Sequence, residues 1–352
     1  MRLLHITATH LNLMGGIPVV LRDLVNAQNR IDGFEARVLS IKADTAEMCS
    51  EYFDRLKGNR FDDYIEDYKP DVVIFHSHYY FEYIKLYKYL IKRKIPYFIE
   101  PHGSFGRAAL QKSKYRKIIA NRIILHSFMK NAKGYIFLNE SEKADAQFKT
   151  SNDLVIPNGI KELEASKEIV SRAKWFFYFI GRFDVNHKGL DCMFDALDIL
   201  ENEGFSINLH LYGKGTEEDS DYVNSRIKKY NIIKVVNCGP IYGNEQSAIL
   251  EQCGIMLLTS RYEGFPMTIL EAWRYGNPCI VTPGTNVANE VSENRLGWRT
   301  EFDKQSISES IKKASQEYSS SKDEYVDRCK TYVSQHYSWN TIAELSLLHL
   351  SR

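Results

Sequence analysis

Short apolar runs alternate with amphipathic stretches along most of the chain. Leu3 to Ala8, Ala36 to Ile41, Asp71 to Phe75, Tyr97 to Glu100 and Gly134 to Leu138 have the length and apolar character of strands. Pro18 to Gln28 and Phe81 to Ile91 carry helical periodicity between them. This alternation predicts an α/β domain around a mainly parallel sheet. Leu154 to Ile160 follows, where Pro157 and Gly159 end the regular structure, and the polar residues Lys161 to Lys174 read as a connection. The pattern then restarts. Strands are predicted at Trp175 to Ile180, Ile207 to Tyr212, Ile233 to Val236, Ile255 to Thr259 and Cys279 to Thr282, with a helix over Leu190 to Glu201. The tail is helical in composition over Ile307 to Lys313, Glu324 to His336 and Trp339 to Leu350.

A length of 352 residues accommodates two domains with cores of their own. With 44% hydrophobic and 26% charged residues the chain has the composition of a soluble globular protein, and its net charge of +1 points to no polyanionic partner. No apolar run approaches the roughly 18 residues of a membrane span, and Met1 to Ala8 enters a strand pattern directly, so a cytoplasmic protein is expected. Six cysteines, Cys49, Cys192, Cys238, Cys253, Cys279 and Cys329, lie far apart and read as reduced thiols rather than a disulfide framework or zinc site. Charge is nevertheless segregated. Lys85 to Lys133 holds 13 basic residues and one acid, Glu100, a local net of +12 that leaves −11 for the remainder. Its densest part has Arg107, Lys112, Lys114, Arg116, Lys117 and Arg122 interleaved with Phe105, Tyr115, Ile118, Ile119, Ile123, Ile124 and Leu125. Such a segment suits either a helix laid along an anionic membrane surface, on the cytoplasmic face, or a solvated helix face packed on its own domain. No nucleic-acid reading module or aromatic stacking series accompanies it, so no nucleic-acid partner is expected.

The most informative chemistry lies in Ser260 to Glu271, where Glu263 and Glu271 stand eight positions apart across a predicted strand-to-helix turn. The end of a buried strand is the crevice position of an open α/β sheet. Gly264 permits a sharp turn, Pro266 suits the first helical position, and the first helical amides, from Met267 and Thr268 onward, face the crevice. One carboxylate before the helix and one within it can each accept hydrogen bonds from a diol, with a bed of amides between them for a diphosphate. In the plainer alternative Glu263 is a solvated loop residue and Glu271 pairs with Arg274 or Arg261. Asp62-Asp63 lacks the middle residue of a DxD donor-site motif and reads as a polar surface turn, and no His/Cys cluster is evident, so no metal is expected.

Taken in order, Gly15-Gly16, Pro157-Asn158-Gly159, Gly181 to Gly189 and the Glu263 to Glu271 element resemble the retaining glycosyltransferases of family 4, over nearly the whole chain. The resemblance implies a GT-B fold, two Rossmann-like domains facing a deep interdomain cleft. Residues 1–160 would bind the acceptor, 161–174 would link, 175–335 would bind the nucleotide sugar, and 336–352 would return to pack on the first domain. It also implies site roles. Glu263 with Gly264, Phe265, Pro266, Met267 and Thr268 would recognise the donor sugar and Glu271 the nucleotide ribose. Arg182 and Lys188 would neutralise the diphosphate, Gly15 and Gly16 would approach the ligand closely, and Met14 either lines the acceptor side or packs in the core. His102 would lie near the transferred sugar. Asn158 either shapes the loop around the donor or forms an ordinary turn. His78 is a weaker acceptor-pocket candidate, and His5 and His210 read as structural strand residues. Two segments depart from the family pattern: Asp184-Val185-Asn186-His187, where a proline and an acid are common, and Thr282-Pro283-Gly284-Thr285-Asn286, where a glycine-rich ending is common.

The implied activity is transfer of a hexose or modified hexose, with retention, from a nucleoside diphosphate donor to a hydroxyl acceptor. A UDP-sugar is favoured over a GDP-sugar, and no cofactor is required. The acceptor would be a glycan or lipid-linked glycan in capsule, exopolysaccharide, lipopolysaccharide or glycolipid assembly. Alternatives are a nucleotide-sugar epimerase of related fold and a noncatalytic sugar-binding protein. A NAD-dependent oxidoreductase is more remote, because Gly15-Gly16-Ile17-Pro18 lacks the dinucleotide fingerprint.

Overall fold

The structure is a computed structural model that describes residues 1–8, 16–42, 51–56, 58, 60–107, 110, 120–163, 175–252 and 254–351. Met14, Gly15, Cys49, Cys253, the connection over 164–174, and the basic-segment residues Lys112, Lys114, Tyr115, Arg116, Lys117, Ile118 and Ile119 lie outside the described residues. The chain divides into two compact units, Met1–Lys161 with Tyr337–Arg352, and Glu162–His336.

The first unit runs β1 (Arg2–Thr7), α1 (Gly16–Gln28), β2 (Glu35–Ser40), β3 (Phe53–Arg55), α2 (Phe61–Tyr68), β4 (Val72–His76), α3 (Tyr83–Lys92) and β5 (Tyr97–Glu100). A π-helical turn (Ala120–Ile124) follows, then α4 (His126–Lys130), β6 (Gly134–Phe137), α5 (Glu140–Asp145) and β7 (Leu154–Val155). The strands are parallel, in the order β3-β2-β1-β4-β5-β6-β7, so the winding direction reverses between β1 and β4. Every residue of β4 and β5 is buried, as expected of strands covered by helices on both faces. The core is aromatic: Phe75 meets Tyr83, Tyr97 and Phe128 with ring centroids 4.7, 5.5 and 5.1 Å away. Asp62 and Asp63 do not form the surface turn read from the sequence. They occupy the first turn of α2, where carboxylates suit the positive end of the helix dipole.

The second unit repeats the plan with β8 (Phe177–Ile180), α6 (Leu190–Asn202), β9 (Asn208–Tyr212), α7 (Glu217–Ile227), β10 (Lys234–Asn237), α8 (Gly243–Gln252), β11 (Ile255–Leu258) and α9 (Met267–Arg274). β12 (Cys279–Val281), a 3-10 turn (Pro283–Thr285), α10 (Ala288–Glu293), β13 (Gly297–Arg299) and α11 (Lys304–Tyr337) complete it. Its sheet is also parallel, ordered β10-β9-β8-β11-β12-β13, with the reversal between β8 and β11. The two tail helices expected before Trp339 are present and adjoin within Lys304–Tyr337, separated by a kink at Ser321, whose φ of −128° and ψ of 29° are not helical. Pro266 stands one place earlier than expected. It caps α9 with an extended backbone while its carbonyl accepts from Ile269 N at 2.9 Å.

α12 (Trp339–Leu350), capped by the Ser338 side chain on Thr341 N, packs against α1 in the first unit. Gln28 donates to Ser346 Oγ at 3.1 Å across that contact. Among the described residues no helix is long and apolar enough to cross a membrane.

Candidate active site

In a doubly wound sheet the loops leaving neighbouring strands part where the strand order reverses, and the opening at the strands' carboxyl ends receives ligands. In the second unit Arg182, Lys188 and Glu263 lie there, whereas in the first His78 follows β4 beside the reversal and His102 and Asn158 follow β5 and β7. In the second unit the loop after β8 carries Gly181 to Gly189, and the loop after β11 carries Thr259 to Pro266.

Lys188 Nζ donates to Glu263 Oε1 at 2.6 Å, and the two side chains are only 14% and 10% exposed. Ser260 Oγ donates to the same oxygen at 2.6 Å, and His187 Nε2 stands 3.8 Å from the other. Glu263 is therefore not a solvated loop residue. The two loops are braced on each other: His187 stacks on Tyr262 with ring centroids 4.3 Å apart, its Nε2 lies 2.7 Å from Tyr262 O, and Arg261 N donates to His187 O at 2.9 Å. Burial lowers the His187 pKa, against the pull of Glu263. Arg261 grips Asp191 with two bonds of 2.8 and 2.6 Å, not Glu271. Gly189 is required where it stands. Its φ is +63°, and a Cβ there would lie 2.1 Å from Thr259 O.

Arg182 is separate from this pair. It is 65% exposed and bonded to Asp184 at 3.1 Å. Glu271, the fifth residue of α9, accepts from Gln246 of α8 at 2.7 Å, while Arg274 donates to Glu162 O at 2.9 Å. Burial raises the Glu271 pKa, opposed by the Gln246 bond and the Arg274 charge. Met267 and Thr268 open α9, and Phe265 is buried beside them. The sequence reading did not single out Asn286 or Gln246. Asn286, at φ 63°, donates to Glu263 O at 2.6 Å and Gly264 O at 3.4 Å, while Thr282 Oγ1 donates to Ser260 O at 2.7 Å. Thr282 to Asn286, the second of the two segments that depart from the family pattern, is thus the cradle of the Glu263 loop, and the local Asn-after-turn composition was the available signal.

In the first unit Gly16 begins α1, and the ends of β4 and β5 bring histidines together. The reading that no histidine cluster exists is corrected here. His76, Glu100 and His102 converge within 4.8 Å, and His5, read as structural, joins them. They come from three strands, and parallel register sets His76 beside Glu100. His5 Nδ1 lies 2.8 Å from His76 Nε2, and His76 Nδ1 lies 3.1 Å from His102 Nε2. Glu100 faces His76 Nδ1 at 3.3 Å and His102 Nδ1 at 3.4 Å. Burial lowers the pKa of His5 and His102 to about 4 and that of His76 well below its ordinary value. Burial and then the Glu142 charge push Glu100 up to about 8. These short, direct ring contacts describe a hydrogen-bonded array. His102 and Gly103 both have positive φ, 49° and 79°, and Glu142 holds the bend by accepting from Gly103 N at 2.6 Å and Leu138 N at 2.7 Å. His78 lies 3.0 Å from Ser104 Oγ. Asn158 is buried in the loop after β7, and a Cβ on Gly159 would lie 2.6 Å from the Trp339 ring.

Two family profiles cover the chain in succession, Glycosyltransferase Family 4 over residues 14–162 and Glycosyl transferases group 1 over residues 161–335. The chain belongs to this glycosyltransferase family. An uncharacterized glycosyltransferase of Haemophilus influenzae is 29% identical over 172 residues, 45% of each chain. The lipopolysaccharide 1,6-galactosyltransferase of Escherichia coli is 33% identical over 110 residues, 30% of this chain and 29% of that one. The match thus spans less than half the length of these curated relatives. Among solved structures, Anabaena Alr3699/HepE in complex with UDP superposes with a TM-score of 0.72 at 16% identity, covering all of both chains. The apo form of the lipopolysaccharide outer core galactosyltransferase WaaB superposes with a TM-score of 0.70 at 17% identity, covering 100% and 99%. The fold is two-domain GT-B.

Proposed function

We propose that this chain is a retaining glycosyltransferase. It moves a hexose or modified hexose from a nucleoside diphosphate donor to a glycan or lipid-linked glycan hydroxyl in cell-surface polysaccharide or glycolipid assembly. The observation that carries this reading is the Lys188–Glu263 pair at the reversal between β8 and β11, beside the amino end of α9. At rest the two charges neutralise each other. When a donor enters, Lys188 turns to the diphosphate with Arg182 and the amides of Met267 and Thr268, and Glu263 is released to accept from sugar hydroxyls. Glu271, held by Gln246, accepts from the ribose.

Breaking the anomeric bond concentrates negative charge on the departing diphosphate, so these cations favour the transition state over the ground state. The departing phosphate takes the acceptor proton on the same face, which accounts for retention. Glu263 and Glu271 are not read as a hydrolase pair, since one stands in the loop before α9 and the other within α9, an offset that does not itself put both around one anomeric centre. The offset of diphosphate charge by Lys188, Arg182 and helix amides requires no metal. A UDP-sugar donor is supported by the Anabaena structures in complex with UDP and UDP-glucose and by the similarity to the Escherichia coli lipopolysaccharide 1,6-galactosyltransferase.

An anionic membrane surface is the partner favoured for the first unit, with the protein peripheral on its cytoplasmic face. Phe81 and Ile123 stand 57% and 74% exposed on segments that also expose Lys85, Lys88 and Arg122. The test is a panel of nucleotide sugars against defined glycan and lipid-linked acceptors, with nucleotide release and product linkage both measured. Acceptor-dependent release with a retained anomer supports the reading. Sugar interconversion without acceptor indicates an epimerase, and binding without turnover across the panel indicates a sugar-binding protein.

A further inference from the structure

The buried array in the first unit has a direction, and that direction is fixed from the side away from His102. Ser346 Oγ donates to Ala343 O at 2.7 Å, so its oxygen is left to accept from Gln28 Nε2 at 3.1 Å. The Gln28 amide is thereby oriented, and its Oε1, 3.1 Å from His5 Nε2, requires a proton on that nitrogen. A neutral His5 then has a bare Nδ1, which accepts from His76 Nε2 at 2.8 Å. His76 Nδ1 is bare in turn and accepts from His102 Nε2 at 3.1 Å. That leaves the lone pair of His102 Nδ1 facing Glu100 Oε1 at 3.4 Å, with Glu100 Oε2 at 3.3 Å from His76 Nδ1. The His76 Nδ1 lone pair is already taken by His102 Nε2–H, so the unsatisfied contact is the bare His102 Nδ1, which an ionised carboxylate would repel. The chain closes only when Glu100 carries the proton.

We propose that Glu100 is a neutral carboxylic acid and the positioning residue of His102, fixing that ring as the neutral Nε2–H tautomer through a one-way chain anchored on Ser346. The proposal rests on the reading that His102 lies near the transferred sugar and adds a constraint to it: with both nitrogens engaged, His102 has no proton to trade. The groups facing Glu100 are His76 of β4, His102 after β5, and Glu142 of α5, whose charge disfavours a second anion beside it. The lowered histidine values and raised Glu100 value agree with a neutral array. Losing the Glu100 proton would reverse every tautomer back to His5 and leave its bare Nε2 against Gln28 Oε1.

Two measurements on the full chain test this. Nitrogen-15 spectra of labelled histidines, assigned with His76→Gln and His102→Gln variants, should show His5, His76 and His102 as neutral Nε2–H rings at pH 7. An Nδ1–H or imidazolium signal from His102 would overturn the proposal whether or not the chain turns over. In the transfer assay, the wild type should lose activity through about pH 8, about tenfold per pH unit beyond it. Glu100→Gln, which keeps a donor toward His102 Nδ1, should remove that alkaline limb and recover turnover lost in Glu100→Ala. An alkaline limb unchanged in Glu100→Gln would refute the role, as would stoichiometric zinc in the wild type that disappears in His76→Gln. Failure of transfer in the wild type with the predicted spectra would reject the proposed function alone.

Discussion

Replacing Lys188 by Met removes one charge from a pair held at 2.6 Å with both side chains nearly out of solvent. Breaking a buried pair from one side costs about 3–5 kcal/mol, because the remaining charge is left without its counterpart. Glu263 keeps the Ser260 hydroxyl at 2.6 Å and has His187 at 3.8 Å, so the lower end, about 3 kcal/mol, is expected here. For a unit of this size that lowers the melting midpoint by about 6–12 °C, read by calorimetry as a shift in the transition of the second unit. The double variant Lys188→Met/Glu263→Gln should recover about half of the loss, since an uncharged pair of similar volume replaces the isolated anion. Nucleotide binding separates the two roles. Lys188→Met should weaken UDP binding about 10-fold to 100-fold, the worth of one charged hydrogen bond. Glu263→Gln should leave UDP binding equal or tighter, because Lys188 no longer has a competing partner, while sugar transfer falls about 100-fold. Lys188→Met within about 0.5 kcal/mol of wild type, or Glu263→Gln weakening UDP as much as Lys188→Met does, would refute the roles given to the Lys188–Glu263 pair.

Gly189→Ala should destabilise the second unit by more than about 2 kcal/mol in denaturant titrations, since its Cβ would sit 2.1 Å from Thr259 O in a left-handed backbone. Arg182→Ala, at a side chain 65% exposed, should change stability by less than about 0.5 kcal/mol and flatten the salt dependence of UDP binding measured by calorimetry. Stability should peak near pH 6.5 in thermal scans of the first unit. His5 and His102, lowered to about 4, and His76, lowered well below its ordinary value, bind fewer protons folded than unfolded, and these three outweigh the two raised acids so that stability grows as pH rises to 6.5. Glu100 and Glu142, raised to about 8 and about 7, hold protons that the unfolded chain has lost, so their contribution declines as pH rises and is gone above 8. A stability that keeps climbing from pH 6.5 to 8 would contradict those directions.

The strands that carry the site were legible because burial on both faces leaves a continuous apolar run. β4, β5, β8 and β11 all read this way, and their ends locate His76, His102, Gly181 and Ser260. Elements that bury little were not legible. β3 and β13 are three residues long, and α7 buries only Val223 and Arg226 among eleven residues, so neither length nor periodicity marks them. The candidate charges were visible singly and their pairing was not. Lys188 and Glu263 lie 75 positions apart, and only the adjacency of β8 and β11 joins them. The histidine array was less visible still, because His5, His76 and His102 each look like an isolated polar residue in or beside a strand. Parallel register converts three separate sequence positions into one chain of hydrogen bonds.

The two reversals carry opposite electrostatics on the same backbone plan, and the difference follows from what each would meet. On the proposed function a diphosphate brings charge, so the second unit would need cations that are available on demand. Lys188 is stored against Glu263 and Arg182 against the partly exposed Asp184, pairs that an incoming anion can open. An acceptor hydroxyl brings no charge, and a strong ionised group beside it would favour water over sugar. The first unit accordingly buries its ionisable groups and suppresses their charge, with three histidines lowered and Glu100 raised by the same loss of solvent. Under the proposed function, charge would be placed where the donor breaks and withheld where the acceptor docks, a division of labour that transfer requires and that simple donor binding does not. Introducing a permanent charge into the quiet unit, as in Gln28→Lys, should therefore damage transfer while leaving UDP affinity in the other unit within about twofold. Equal losses in both would mean that the two electrostatic environments are not separate.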